Sequence, residues 1–160
     1  MRRTLAALVV VLAACGSSPK TTTTTQEGPV VGPPQVAWKD MTVEQKGRYM
    51  DKVVTPRMKE LFVAFDAKEF AEFGCKTCHG EEAIKTKKFE MPNPGLFQLP
   101  ATKEGFGELA QEKPEYMKFM ATQVKPEMAK LLGVEEFDPE NPKEGTFGCM
   151  ACHAVEQPGT

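Results

Sequence analysis

The chain has 160 residues, 41% of them hydrophobic, and sets 20 Lys and Arg against 22 Asp and Glu for a formal net charge of −2. That length is one domain's worth, with enough apolar content to build a core, and the faintly acidic balance excludes nucleic acid as a partner because no basic excess exists to meet phosphate. The unusual components are five cysteines and nine methionines.

Residues 1–14 read as a signal peptide: Arg2 and Arg3 supply a positive start, Leu5 to Ala14 is an apolar run too short to span a bilayer, and Cys15 follows Leu12, Ala13 and Ala14. The pattern resembles that of bacterial lipoproteins, which are cut just before such a cysteine and carry acyl chains on it. Several chains together give stable anchoring. On this reading Cys15 is the lipidation site, and the protein is attached to a membrane of the cell envelope and faces the periplasm. The plainer alternative is an ordinary secretory signal with an incidental cysteine. Without the signal, 18 basic residues remain against 22 acidic ones.

Residues 15–37 hold Ser17-Ser18-Pro19, five threonines from Thr21 to Thr25 and Gly32-Pro33-Pro34, with little to bury, and are expected to be a disordered tether. The folded domain is expected over 38–160. Structure begins near Trp38, and Thr42 with Gln45 three residues on forms a capping-box pattern that opens a helix running past Tyr49 and Met50. Asp66 with Glu69 signals a second, short helix leading to Cys75. From Gly80 to Pro100, around Met91-Pro92-Asn93-Pro94-Gly95, the chain reads as an irregular segment wrapping the edge of a bound group. A weak helix is expected over Glu104 to Glu112. A longer one starts at Pro114, where a first-turn proline belongs, and runs through Leu132 until Gly133 closes it. No stretch alternates with period two, so the predicted class is all-α with extensive loops.

Two pentapeptides dominate this frame: Cys75-Lys76-Thr77-Cys78-His79 and Cys149-Met150-Ala151-Cys152-His153, each preceded by Phe-Gly. In a Cys-x-x-Cys-His turn both thiols lie on one helical face, so both can add to the vinyl groups of one haem, while the adjoining histidine lies beneath the iron. The two motifs therefore predict two covalently bound haem c groups. Cys75, Cys78, Cys149 and Cys152 attach them, and His79 and His153 are the proximal iron ligands. With Cys15 assigned to lipid, no thiol is left for a disulfide. A structural zinc site is the rival use of four thiols and two imidazoles, though zinc does not require the histidine to follow the second cysteine. A thioredoxin-like redox pair lacks its surrounding βαβ pattern.

The motifs are the ends of a longer repeat. Tyr49, Met50, Val54, Pro56 and Met58 recur at an offset of 70 as Phe119, Met120, Val124, Pro126 and Met128, and the pentapeptides recur at 74. The expected architecture is a duplicated unit of helix, turn and Cys-x-x-Cys-His, over about 40–95 and 114–160, forming one small body. Both histidines are used as proximal ligands, so a strong sixth ligand must be something else, and methionine thioether is the common partner of histidine in cytochromes c. Met58 and Met128 are preferred, because each follows a proline by two residues and a proline-kinked helix could fit around the flat ring. Met50 and Met120 repeat equally well, and Met91 is a further candidate for the first haem. A methionine stripe at helical spacing also serves as ordinary core.

The order of methionine-bearing helix, turn and Cys-x-x-Cys-His resembles the repeating unit of the tetrahaem cytochrome subunit of photosynthetic reaction centres, over roughly Met41 to Gly80 and Tyr116 to Ala154. Two motifs stand here in place of four. The resemblance implies that family's haem packing and electron transfer, without photosynthesis; small dihaem c-type cytochromes of respiratory chains are an equal likeness. The predicted function is a membrane-anchored one-electron carrier between redox protein donors and acceptors, with no small-molecule substrate and no catalysis. A small peroxidase-like haem enzyme or a haem-based sensor is the alternative, and needs an open sixth position with acid-base groups beside it.

Overall fold

A computed structural model of the chain describes residues 33–157. The signal peptide, Cys15 and most of the tether lie outside the described residues. The described residues are largely helical and contain no strands, only three isolated parallel bridges. None of their helices is long and apolar enough to cross a membrane.

After a 3-10 turn at Trp38–Asp40, α1 (Val43–Tyr49) opens on the expected capping box: Gln45 N–H donates to Thr42 Oγ1 at 3.2 Å, and Thr42 N–H to Gln45 Oε1 at 2.8 Å. It passes without a break into a π-helical stretch, Met50–Val54, and then into α2 (Thr55–Phe65). The same sequence of states recurs as α5 (Pro114–Phe119), a π stretch at Met120–Val124 and α6 (Lys125–Leu132). The cause is shared. Pro56 and Pro126 lack an N–H and their rings crowd the carbonyl four residues back, so the turn before each widens, and Thr55 N–H and Lys125 N–H reach back five residues to Met50 O and Met120 O. The expected proline kink is therefore a local widening. Gly133 closes α6 with φ of 68°, a left-handed cap that glycine adopts without penalty.

The two long rods pack reciprocally, α2 on the second π stretch and α6 on the first. Phe62 sits at the centre of the core, with ring centroids 4.9 Å from Phe70, 4.9 Å from Phe73 and 5.1 Å from Phe119. Phe65 stacks on Phe119 at 4.2 Å, and Val53, Val54, Met58 and Leu131 complete the cluster. Tyr49 Oη donates across the rods to Leu131 O at 2.6 Å.

Arg57 Nε meets Glu127 Oε1 at 2.8 Å, again joining the rods. The hydrogen bond from Arg57 holds the Glu127 carboxyl below the ordinary carboxylate range. A depressed folded-state value means that this stabilisation is present above the ordinary carboxylate pKa and is lost as pH falls through the lowered one. Arg57 is partly exposed, so screening limits the effect: Glu127→Gln is expected to lower unfolding free energy by about 1 kcal/mol at neutral pH. The loss should shrink on acidification, in urea melts at neutral and acidic pH. A variant whose deficit persists unchanged in acid contradicts this assignment.

Two local expectations are corrected. Asp66 does cap, its Oδ1 accepting from Lys68 and Glu69 N–H at 2.9 Å, but 67–72 form turns rather than a helix, because Phe70 and Phe73 are both drawn onto Phe62 within that short span. Conversely, the segment after His79 is not irregular from its start: α3 (Cys75–Thr86) resumes beyond a bend at Gly80, with Ala83 buried, and irregular chain begins at Lys87. Further on, α4 (Lys103–Glu112) is capped by Thr102, whose Oγ1 accepts from Gly105 N–H at 3.1 Å.

Candidate haem-attachment site

Each motif is presented by a phenylalanine and a glycine. Phe73 is buried in the core, and Gly74 then starts the turn of α3, its N–H donating to Thr77 Oγ1 at 3.0 Å while Thr77 N–H donates to Gly74 O at 2.9 Å. Cys75 is exposed and Cys78 is partly buried against the core. The second motif is a 3-10 turn at Cys149–Ala151, with Cys149 exposed and Cys152 partly buried. Phe147 anchors it, donating its N–H to Glu135 O and accepting from Phe137 N–H, both at 2.8 Å.

Cys149, Cys152 and His153 open into a cavity of about 390 Å³. Its walls include Phe97 and Leu99 from the loop after α3, Leu109 from α4, and Met117, Met120, Ala121 and Val124 from the second rod. The Nδ1–H of His153 donates to Phe97 O at 2.8 Å. A carbonyl can only accept, so in the neutral ring the bond selects the Nδ1–H tautomer with the lone pair on Nε2, the form in which imidazole ligates a metal. The chain end is held to the same loop by Leu99 N–H to Ala154 O and Glu156 N–H to Leu99 O, both 2.9 Å.

At the first motif, Lys76 and Thr77 line a groove of about 350 Å³ whose walls include none of Cys75, Cys78 or His79. His79 is half-buried, with its ring edge-on to Phe89 at 5.3 Å, and burial pushes its pKa down, which favours the neutral, ligating imidazole. Its Nδ1 is buried with no hydrogen-bond partner among the described residues. Burial pushes the Cys78 thiol up to about 11, with Cys75 adding to it; burial, then Cys78 and Cys149, push Cys152 up to about 12. Thiol–disulfide exchange needs the opposite shift, toward thiolate. Among the described residues, no group of three or more His, Cys, Asp or Glu side chains converges in a way that could hold a metal ion.

The candidate distal methionines separate clearly. Met58 is 3% exposed within the core, and Met50 and Met128 pack against that core. Met120 also touches the core, and it alone of the repeated methionines lines the cavity with Cys149, Cys152 and His153. Met91 is partly exposed in the loop before Asn93. Sequence reasoning missed Met117, Phe97 and Leu99 in the cavity wall. Met117 carried a weak signal, one helical turn before Met120 and Ala121; Phe97 and Leu99 carried none, since they reach the site through a loop.

No protein-family model matches the chain, and neither a curated protein nor a solved structure matches it.

Proposed function

We propose that the chain is a dihaem c-type cytochrome that carries single electrons between redox proteins at a membrane of the cell envelope, held there through acylated Cys15. The observation that carries this reading is the cavity in which both cysteines and the histidine of a Cys-x-x-Cys-His motif face a methionine on a separate helix. Cys75 with Cys78, and Cys149 with Cys152, are the attachment thiols, and His79 and His153 the proximal ligands. Met120 is the distal ligand of the second haem, and the 70-residue offset assigns the same part to Met50 in the first; this displaces Met128 and Met58. The duplicated helix, turn and motif form the unit that each haem occupies.

When bound, the haem supplies reversible one-electron cycling of its iron, and the protein supplies ligands, burial and orientation. The site's composition fits such a flat, apolar group. Phe89 beside His79, Phe97 beside His153 and Met150 within the second motif are 46%, 53% and 55% exposed, an unusual amount of large apolar surface gathered at two motifs. Lys113 and Lys125 line the cavity and are suited to the ring's carboxylates. A carrier is favoured over a small haem enzyme by the thioether of Met120, which fills the sixth position that an enzyme needs open; the cavity's titratable groups beyond the motif are Glu69, Lys113, Tyr116 and Lys125. Tyr116 nearby hydrogen-bonds Glu69, and that bond pushes its hydroxyl up to about 12, a poor acid at neutral pH.

The experiment is a pyridine haemochrome assay on protein made in a host that matures c-type cytochromes. Two covalent haems per chain are expected; one or none overturns the proposal.

A further inference from the structure

Asn93 is the buried polar side chain among the described residues, 9% exposed, and every one of its polar groups is engaged. Its Nδ2 donates to Cys78 O at 3.0 Å, and its backbone N–H donates to Cys152 O at 2.9 Å. Its Oδ1 accepts from Gly95 N–H at 2.9 Å, and its carbonyl from Leu96 N–H at 3.2 Å. One residue therefore grips the carbonyl of the second cysteine in both motifs, each directly before the proximal histidine. Gly80 makes room for this: its φ is +80°, and a Cβ there would come within 3.2 Å of Asn93 Nδ2. The bond to Gly95 is a local turn of the kind asparagine commonly makes. The other two bonds are not local. Packing alone at this position would be served by an apolar side chain, since burying an amide is costly unless its groups are paired.

We propose that Asn93 is the positioning residue that locks the two attachment motifs to each other, so that two haems bound there respond to one another as a single redox unit. The inference rests on the dihaem reading. Charge gained or lost at one iron is felt at the other with little attenuation when protein rather than water lies between them and their spacing is fixed. Cys78 and Cys152 are the last covalent points before each ligand, so a clamp on their carbonyls fixes both sites in one step.

The test uses the purified dihaem protein and two variants. Asn93→Asp keeps the size and the acceptor for Gly95 while turning the donor that faces Cys78 O into a second acceptor; Asn93→Ala removes both side-chain bonds. Three readings are taken: the haemochrome count, circular dichroism in the Soret band, and a potentiometric titration that resolves how far oxidising one haem moves the other's midpoint. The parent should show a two-signed Soret couplet, the mark of two haems held at fixed mutual orientation, and a mutual shift in midpoint. Whichever variants retain two haems should lose the couplet and most of the mutual shift. A parent with two haems and no couplet overturns the inference, as does a variant with both signals intact. Haemless parent protein instead overturns the dihaem reading itself, so the two failures are distinct.

Discussion

Met120→Ala should leave the second haem high-spin, with its Soret and visible bands shifted to those of a five-coordinate or water-ligated iron. Alanine offers no donor atom, and on the proposed ligation both of the chain's two histidines serve the proximal side, so nothing of comparable strength replaces the thioether. Loss of that ligand should also lower the midpoint potential of the affected haem, because thioether ligation favours the ferrous form. The comparison variant is Met128→Ala. It trims a side chain packed on the core and absent from the cavity wall, so it should cost some stability while leaving both haems low-spin. Optical and electron paramagnetic resonance spectra of the two proteins decide the matter. A low-spin Met120→Ala beside a high-spin Met128→Ala contradicts the assignment from the cavity. If Met117→Ala alone gives the high-spin signal, the ligand stands one turn earlier on the same rod, where the first half of the chain has Gly47 and no counterpart.

The largest effect on stability is expected at Phe62. Its ring contacts Phe70, Phe73 and Phe119, which come from the turns before the first motif, the anchor of that motif and the opposite rod. Phe62→Ala should remove about 3–5 kcal/mol, through lost transfer free energy and the cavity left behind. That is a large part of the 5–15 kcal/mol typical of a domain. Urea unfolding of the variant should show a strongly lowered midpoint, and Phe73 should lose its seat, so haem should be attached less efficiently at Cys75 and Cys78 during maturation than at Cys149 and Cys152. A loss below about 1 kcal/mol would mean that the neighbouring rings close over the gap, and that Phe62 is not the centre of the core.

The features that sequence reasoning located are those fixed by near neighbours. Thr42 and Gln45 cap α1 through bonds three residues long, and Pro114 and Gly133 begin and end the second rod through their own backbone preferences. Pro56 and Pro126 were visible as breaks in the helical pattern, but reading them as kinks assumed that a period of 3.6 continued across them. The π stretches shift the helical face by part of a turn, so the choice between Met120 and Met128 depended on a phase that residue spacing does not carry. Asn93, Phe97 and Leu99 were out of reach for another reason. Their partners Cys152, His153 and Ala154 lie more than fifty residues away, and loop residues carry no periodicity that would betray such pairings. The irregular segment expected from Gly80 begins at Lys87, and its residues bond both motifs, Asn93 to Cys78 O and Cys152 O, Phe97 to His153 and Leu99 to Ala154.

The contact between Arg57 and Glu127 has a geometric consequence. In an isologous pair the same patch serves both partners, and a residue on the two-fold axis faces its own copy. The two rods meet in that reciprocal manner, and positions 57 and 127, which are 70 apart, face each other as an axial residue would. Two separate, identical chains would bring like charges together at such a point, whether arginine or glutamate. Carrying both halves on one chain releases the two positions from having to be the same, and the axis can then hold opposite charges.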